Sequence, residues 1–162
     1  MLTKERRKKW KYVFIALAAN YITVPIVFLF MSLDNPNIVQ NFKYAKLSYF
    51  LPISQFYDFI NNEAYLTVIK EEIETRGPAW LLINCNIKYG AIFALIVMLI
   101  RTYFWALQHD QIIFPSVFIA GFVWGLAVIK TKSLWPAVVC HSAANISLYF
   151  LIKILQYFQV IT

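Results

Sequence analysis

Three groups of polar residues interrupt or border the apolar stretches of this 162-residue chain. They are Glu71-Glu72 with Arg76, then His109, and then His141 with Asn145. Ionisable side chains on apolar helices are costly in a bilayer, so they usually face a bundle interior or a water-filled cavity. Carboxylates, imidazoles and an amide are also the groups that activate water and stabilise an oxyanion. Each group is therefore a candidate for function.

Each group also has a purely structural explanation. Glu72 and Arg76 are four residues apart and can pair across one helical turn. His109 could be a histidine at a helix boundary. His141 and Asn145 share one face of a helix, and such residues also hold membrane helices together through hydrogen bonds of about 0.6 kcal/mol each. Taken singly, no group decides between structure and chemistry.

The chain around these groups has the composition of a membrane protein. It is 60% hydrophobic and 14% charged, which leaves too little polar surface to cover a compact soluble domain. We therefore predict an all-α, polytopic transmembrane helical bundle of about six helices, with a range of five to seven. The predicted elements are a helix over 61–76 that Gly77-Pro78 ends, and apolar segments at 12–33, 79–107 with a break at Gly90, 112–129 and 133–152.

Basic residues are concentrated at the start of the chain. The net charge is +7, and six Lys and Arg residues lie between Lys4 and Lys11. A short basic cluster before an apolar run is typical of a cytoplasmic flank, because Lys and Arg resist translocation and are attracted to anionic lipid. We predict a basic cytoplasmic tail at 1–11 and a single transmembrane domain at 12–162, with a catalytic core at about 60–155. This charge distribution predicts no nucleic-acid partner.

Read in order, the three groups resemble the motifs of the CPBP family, the intramembrane proteases related to the CAAX prenyl endopeptidase Rce-one and the Abi proteins. The family pattern is Glu-Glu-x-x-x-Arg, then Phe-x-x-x-His, then His-x-x-x-Asn. The first motif is intact at 71–76 and the third at 141–145, whereas Trp105 replaces the usual Phe four residues before His109. The resemblance extends over about half of the chain, from roughly Val68 to Phe150.

The resemblance implies a role for each residue of the three motifs. Glu71 would be the general base and would share a water molecule with His109, while His141 and Asn145 would donate hydrogen bonds to the oxyanion. The supporting residues would be Glu72, Arg76 and Trp105. An oxyanion site of this kind needs donors fixed on a rigid element, and one helix face provides that.

The resemblance implies no cofactor, although a zinc version uses the same side chains. Two histidines and one glutamate form a catalytic zinc site that keeps a position open for water. In that version the ligands are Glu71, His109 and His141, with Glu72 as the alternative carboxylate. The sequence alone does not choose between the glutamate and zinc mechanisms.

The function implied by the resemblance is intramembrane endopeptidase activity on a membrane-associated peptide or protein. Its substrate would be a prenylated tail, a peptide leader or pheromone, or a C-terminal sorting segment. Two alternatives stay open: a non-catalytic bacteriocin immunity or assembly factor, and a small transporter subunit. We expect residence in the lipid bilayer of a prokaryotic inner or plasma membrane, with the N-terminus cytoplasmic, the site opening to the cytoplasm and a membrane partner subunit supplying further helices.

Overall fold

The computed structural model describes residues 9–19, 21–22, 51–85, 87–109 and 114–157, and these ranges contain helices and no strands. The helices are α1 (9–19, with helical backbone again at 21–22), α2 (Phe56–Asn61), α3 (Thr67–Asn84), α4 (Gly90–Ala106), α5 (Phe114–Thr131) and α6 (Trp135–Tyr157). A π-helical turn, Asn62–Leu66, joins α2 to α3. The all-α prediction is confirmed. The five α-helices α2 to α6 of the described ranges are slightly fewer than six and lie within the predicted range.

Two of these helices, α5 and α6, are long and apolar enough to cross a membrane. They correspond to the spans predicted at 112–129 and 133–152. Helix α4 is also apolar but has 17 residues. Most of the span predicted at 12–33 lies outside the described residues, as does the turn predicted at 34–37.

Helix α3 passes through Gly77-Pro78, so the prediction that the helix ends there was wrong. Pro78 has no N–H to donate to the carbonyl of Glu74, four residues earlier. The guanidinium of Arg101, on α4, donates a hydrogen bond to that carbonyl instead. A contact from another helix therefore replaces the missing local bond, and α3 continues to Asn84.

The predicted break at Gly90 is confirmed, because α3 ends at Asn84 and α4 begins at Gly90. Tyr89 adopts a left-handed conformation with φ of 68° in the connection. A Cβ atom on Gly90 would lie 2.9 Å from the carbonyl oxygen of Leu82. A side chain at this position would separate the two helices, so the tight turn needs glycine.

The turn between α5 and α6 is attached to the end of α3. The indole N–H of Trp80 donates a hydrogen bond to the carbonyl of Lys132, at 3.1 Å. Lys132 has φ of 54°, and Ser133 Oγ accepts a 3.4 Å hydrogen bond from the backbone N–H of Trp135. Pro136 lies in the first turn of α6, where its missing N–H costs nothing.

Helix α3 lies at the centre of the bundle and packs against α4, α5 and α6. Helix α1 packs along α6: Val13 is buried beside Cys140, and the hydroxyl oxygens of Tyr21 and Ser147 lie 2.6 Å apart. Because later residues of α1 meet later residues of α6, the two helices run parallel. The first turn of α1 thus shares one end of the bundle with the α3–α4 and α5–α6 connections. The α4–α5 connection lies at the opposite end.

Candidate active site

A fully buried ion pair lies on the inner face of α3. Arg76 Nη1 donates to Glu72 Oε2 at 2.6 Å, and neither side chain is exposed. Arg76 Nη2 donates to the carbonyl of Gly121 at 3.1 Å, and the guanidinium lies over the rings of Trp105 and Trp124. Buried charges persist only when they are paired and hydrogen-bonded. This pair therefore fixes both side chains at the centre of the bundle.

The Glu72 carboxylate orients the ring of His141. His141 Nδ1 lies 2.8 Å from Glu72 Oε1, and because a carboxylate only accepts hydrogen bonds, Nδ1 is the donor. The ring stacks on Trp124 with 4.8 Å between centroids. The second ring nitrogen, Nε2, lies 3.7 Å from Glu71 Oε2. Glu72 thus directs the free nitrogen of His141 toward Glu71.

The two adjacent glutamates have different environments. The Glu72 side chain is completely enclosed, whereas that of Glu71 is 25% exposed. Glu71 Oε2 accepts a hydrogen bond of 3.2 Å from Trp105 Nε1. A general base must reach the water that it activates. Of the two carboxylates, Glu71 is the one that water can reach.

His109 lies three residues beyond the end of α4, in the α4–α5 connection, and is partly buried. Its Nδ1 is 3.1 Å from the carbonyl oxygen of Trp105. Its ring is 4.8 Å from the Trp105 ring, whose centroid is in turn 5.5 Å from that of His141. Trp105 therefore contacts both histidines and Glu71.

Asn145 follows His141 by one turn of α6 and is nearly buried. Its Nδ2 donates to the backbone carbonyl of Glu63, in the π-helical turn, at 3.3 Å. This hydrogen bond is long and therefore weak. The structure places Asn145 beside the cluster along α6, with its amide bound to the π-helical turn. Its role at an oxyanion stays a prediction.

Sequence reasoning gave no individual role to Trp124, Gly121 or Glu63. Trp124 stacks on His141, Gly121 supplies a carbonyl to Arg76, and Glu63 supplies one to Asn145. Tryptophan favours the ends of membrane spans, whereas Trp124 lies well inside α5. That position was the available signal for Trp124. Gly121 and Glu63 could not be found in this way, because they act through backbone carbonyls, which every residue has.

We expect Gly121→Ala to destabilise the protein by about 1–3 kcal/mol, as overpacked cores do. A Cβ atom at this position would lie 2.9 Å from Arg76 Nη2 and 2.8 Å from a Thr102 methyl carbon. The guanidinium would have to leave the Gly121 carbonyl.

Unfolding in mixed micelles measures this loss of stability, and Gly77→Ala is the matched control. A Cβ on Gly77 meets nothing closer than 3.8 Å. Equal losses in the two variants would contradict the close packing of α5 on Arg76.

For the peptide hydrolysis that the resemblance implies, we expect Trp105→Phe to lower kcat by about tenfold and to leave KM unchanged. The replacement removes a hydrogen bond to a charged group while it keeps an aromatic ring. Glu71 would lose the donor that fixes its carboxylate. The control is Trp135→Phe, at an exposed position on α6. A loss confined to KM, or shared with the control, would show that the indole N–H does not position Glu71.

The placed side chains do not form a metal site. Among the residues that the structure describes, no three His, Cys, Asp or Glu side chains group closely enough to hold a metal ion. The three ligands of the zinc version, Glu71, His109 and His141, are therefore not arranged to bind one metal ion together.

Comparison with known proteins identifies the family. No curated protein and no solved structure matches the chain. A family model described as Type II CAAX prenyl endopeptidase Rce1-like matches residues 59–147, which is more than half of the chain and includes all three motifs. The family predicted from those motifs is confirmed, and with it membrane residence, since its members are embedded in the membrane. The chain belongs to the Rce1-like family of type II CAAX prenyl endopeptidases.

Proposed function

We propose that this protein hydrolyses a peptide bond in a membrane-associated peptide or protein tail, with Glu71 as general base. Family membership supports endopeptidase activity at the membrane. The observation that carries the assignment of Glu71 is the asymmetry of the glutamate pair. Glu72 is enclosed and bound to Arg76 and His141, whereas Glu71 is partly exposed and faces His141 Nε2.

In the proposed reaction, Glu71 removes a proton from a water molecule, whose oxygen attacks the scissile carbonyl carbon. His109 helps to hold this water. The carbon–nitrogen bond then breaks, and the proton on Glu71 passes to the leaving amine. One water molecule is consumed, and one new carboxylate and one new amine are formed.

The oxyanion of the tetrahedral intermediate would be stabilised by His141 and Asn145. With its Nδ1–H donated to Glu72, the imidazolium form of His141 carries a second N–H on Nε2. Asn145 would exchange its long bond with the Glu63 carbonyl for a bond to the oxyanion. Catalytic hydrogen bonds often form only when the substrate is bound. Both donors lie on one rigid helix, which keeps their separation fixed.

The proposal includes a metal-free mechanism and a position in the membrane. The resemblance of the motifs at 71–76, 105–109 and 141–145 to those of a glutamate-type protease family supports the metal-free version. We place the protein in a prokaryotic plasma membrane, with the basic segment before α1 in the cytoplasm. The clustering of Lys and Arg before residue 12 supports this orientation. The substrate is a membrane-associated peptide, and a partner subunit could present it.

Hydrolysis in water enriched in ¹⁸O tests the proposal directly. Membranes that contain the wild type or Glu71→Gln are incubated in this water, and peptide termini are identified by mass spectrometry. We expect new C-termini that carry one ¹⁸O atom with the wild type and none with the variant. The same termini should form in the presence of a chelator. Their loss with chelator and return with zinc would favour the metal mechanism, and the absence of any new terminus would favour an immunity or assembly factor.

A further inference from the structure

The side-chain amide of Asn145 and the backbone carbonyl of Glu63 form a donor–acceptor pair beside the catalytic cluster. Asn145 Nδ2 donates to this carbonyl oxygen at 3.3 Å. The contact joins α6 to the π-helical turn Asn62–Leu66, which lies between α2 and α3. Turns of this kind are rare and often occur at functional sites. The pair is therefore a candidate for substrate binding as well as for packing.

Apolar packing holds both members of this pair in place. Ala64, the residue after Glu63, is buried in one cluster with Phe59 and Tyr149. Tyr149 follows Asn145 by one turn of α6, and its ring stacks on that of Phe59 with 4.5 Å between centroids. The π-helical turn and this part of α6 are thus fixed against each other. Groups fixed in this way lose little conformational freedom when they bind a ligand.

The Glu63 carbonyl lies next to the position proposed for the scissile carbonyl. Glu72 contacts His141, whereas Glu63, earlier in the chain, contacts Asn145, later in the chain. The segment from the π-helical turn into α3 therefore runs antiparallel to α6. An oxyanion that accepts hydrogen bonds from His141 and Asn145 has the Glu63 carbonyl as its neighbour on the Asn145 side.

An extended peptide residue carries the groups that match this pair. Its own N–H and C=O point to the same side of the chain, and in an antiparallel sheet both bond to a single partner residue. Asn145 provides the donor and Glu63 the acceptor that one such residue needs. Main-chain hydrogen bonds of this kind give affinity wherever proteins bind extended peptides.

We infer that the Glu63 carbonyl binds the substrate backbone. It accepts a hydrogen bond from the N–H of the residue that supplies the scissile carbonyl, here called the scissile residue, while Asn145 donates to the oxygen of the same residue. This inference rests on the proposed proteolytic function and specifies its substrate: a peptide that is extended at the scissile residue and has a free N–H there. The substrate N–H replaces the bond that Glu63 loses when Asn145 turns to the oxyanion, so the carbonyl keeps a donor.

Substrate peptides that contain one ester bond test this contact. In a peptide with the cleaved sequence, the scissile residue is replaced by its α-hydroxy acid, which changes the N–H to an oxygen atom without adding bulk. We expect kcat/KM to fall by about tenfold, the size of one hydrogen bond. The control peptide carries the same change at the preceding residue, whose N–H points to the other side of an extended chain. It should be cleaved within about twofold of the all-amide peptide.

A matching change in the enzyme identifies the acceptor. Ala64→lactic acid, introduced by nonsense suppression, turns the peptide bond after Glu63 into an ester and weakens its carbonyl as an acceptor. The penalty of the ester at the scissile residue should then shrink from about tenfold to about twofold, as it does for coupled partners. Tyr65→hydroxyphenyllactic acid is the matched control, since it weakens the Ala64 carbonyl instead and should leave the tenfold penalty.

The outcomes separate this inference from the proposed function. If the wild type does not cleave the all-amide peptide, the proteolytic function fails, and the inference fails with it. If it cleaves the all-amide peptide and both ester peptides at equal rates, or loses equally with both esters, only the inference is overturned. A tenfold penalty that persists in the Ala64 variant would also overturn it. The ester peptides need only the wild-type enzyme, so the test holds even if a backbone ester prevents folding.

Discussion

Replacing Glu71 by glutamine is expected to lower the rate of peptide hydrolysis by about a thousandfold, within the range that a general acid–base contributes. Glutamine has the same size, and its carbonyl oxygen still accepts the hydrogen bond from Trp105. The amide takes no proton from water and returns none to the leaving amine. We therefore expect the loss in kcat, with the folded structure retained. Kinetics of the purified protein in lipid nanodiscs measure it.

Two neighbours on α3 provide matched controls. Glu74 is exposed, and it is the backbone carbonyl, not the side chain, that Arg101 contacts, so Glu74→Gln should retain wild-type activity. Glu72→Gln removes the charge that faces Arg76 and His141, so it should lower stability and should slow hydrolysis by much less than Glu71→Gln does. If Glu71→Gln retained activity within a factor of ten and Glu72→Gln did not, Glu71 would not be the general base, and Glu72 would take its place.

The local features of this site could be predicted from the sequence because helical spacing determines them. The pairing of Glu72 with Arg76 follows from a separation of four residues. The shared face of His141 and Asn145 follows in the same way. The spans that became α5 and α6 were visible as uncharged runs of suitable length. In each case the information lies within one turn or one helix.

Features that depend on contacts between helices could not be predicted. Spacing places Glu71 and Glu72 side by side, and only the rotation of α3 against α4 and α6 decides which of them is enclosed. The hydrogen bond from Trp105 to Glu71 joins residues 34 positions apart. The passage of α3 through Pro78 depends on Arg101, on another helix. No local pattern in the sequence contains these contacts.

Replacing Arg76 by methionine is expected to destabilise the protein by about 3–5 kcal/mol, as removal of one partner from a buried ion pair does. Methionine fills much of the same space, so the expected loss comes from the charge. Glu72 would stay enclosed with His141 as its remaining polar partner. Unfolding of the protein in mixed micelles measures the effect. Lys130→Met is the control, since Lys130 is exposed, and it should change stability by no more than about 0.5 kcal/mol.

A double replacement separates the charge of Arg76 from its packing. In Arg76→Met with Glu72→Gln, no buried charge is left without its partner, so the double variant should cost about 2 kcal/mol less than the sum of the single ones. Stability would then recover relative to that sum, while hydrolysis would stay slower than in the wild type, because a neutral amide binds the His141 ring less strongly than a carboxylate does. Additive losses would mean that Arg76 acts through the Gly121 carbonyl and the two tryptophan rings instead. In that case, the order of the site would depend on packing against α4 and α5, and Glu72 would orient His141 without help from Arg76.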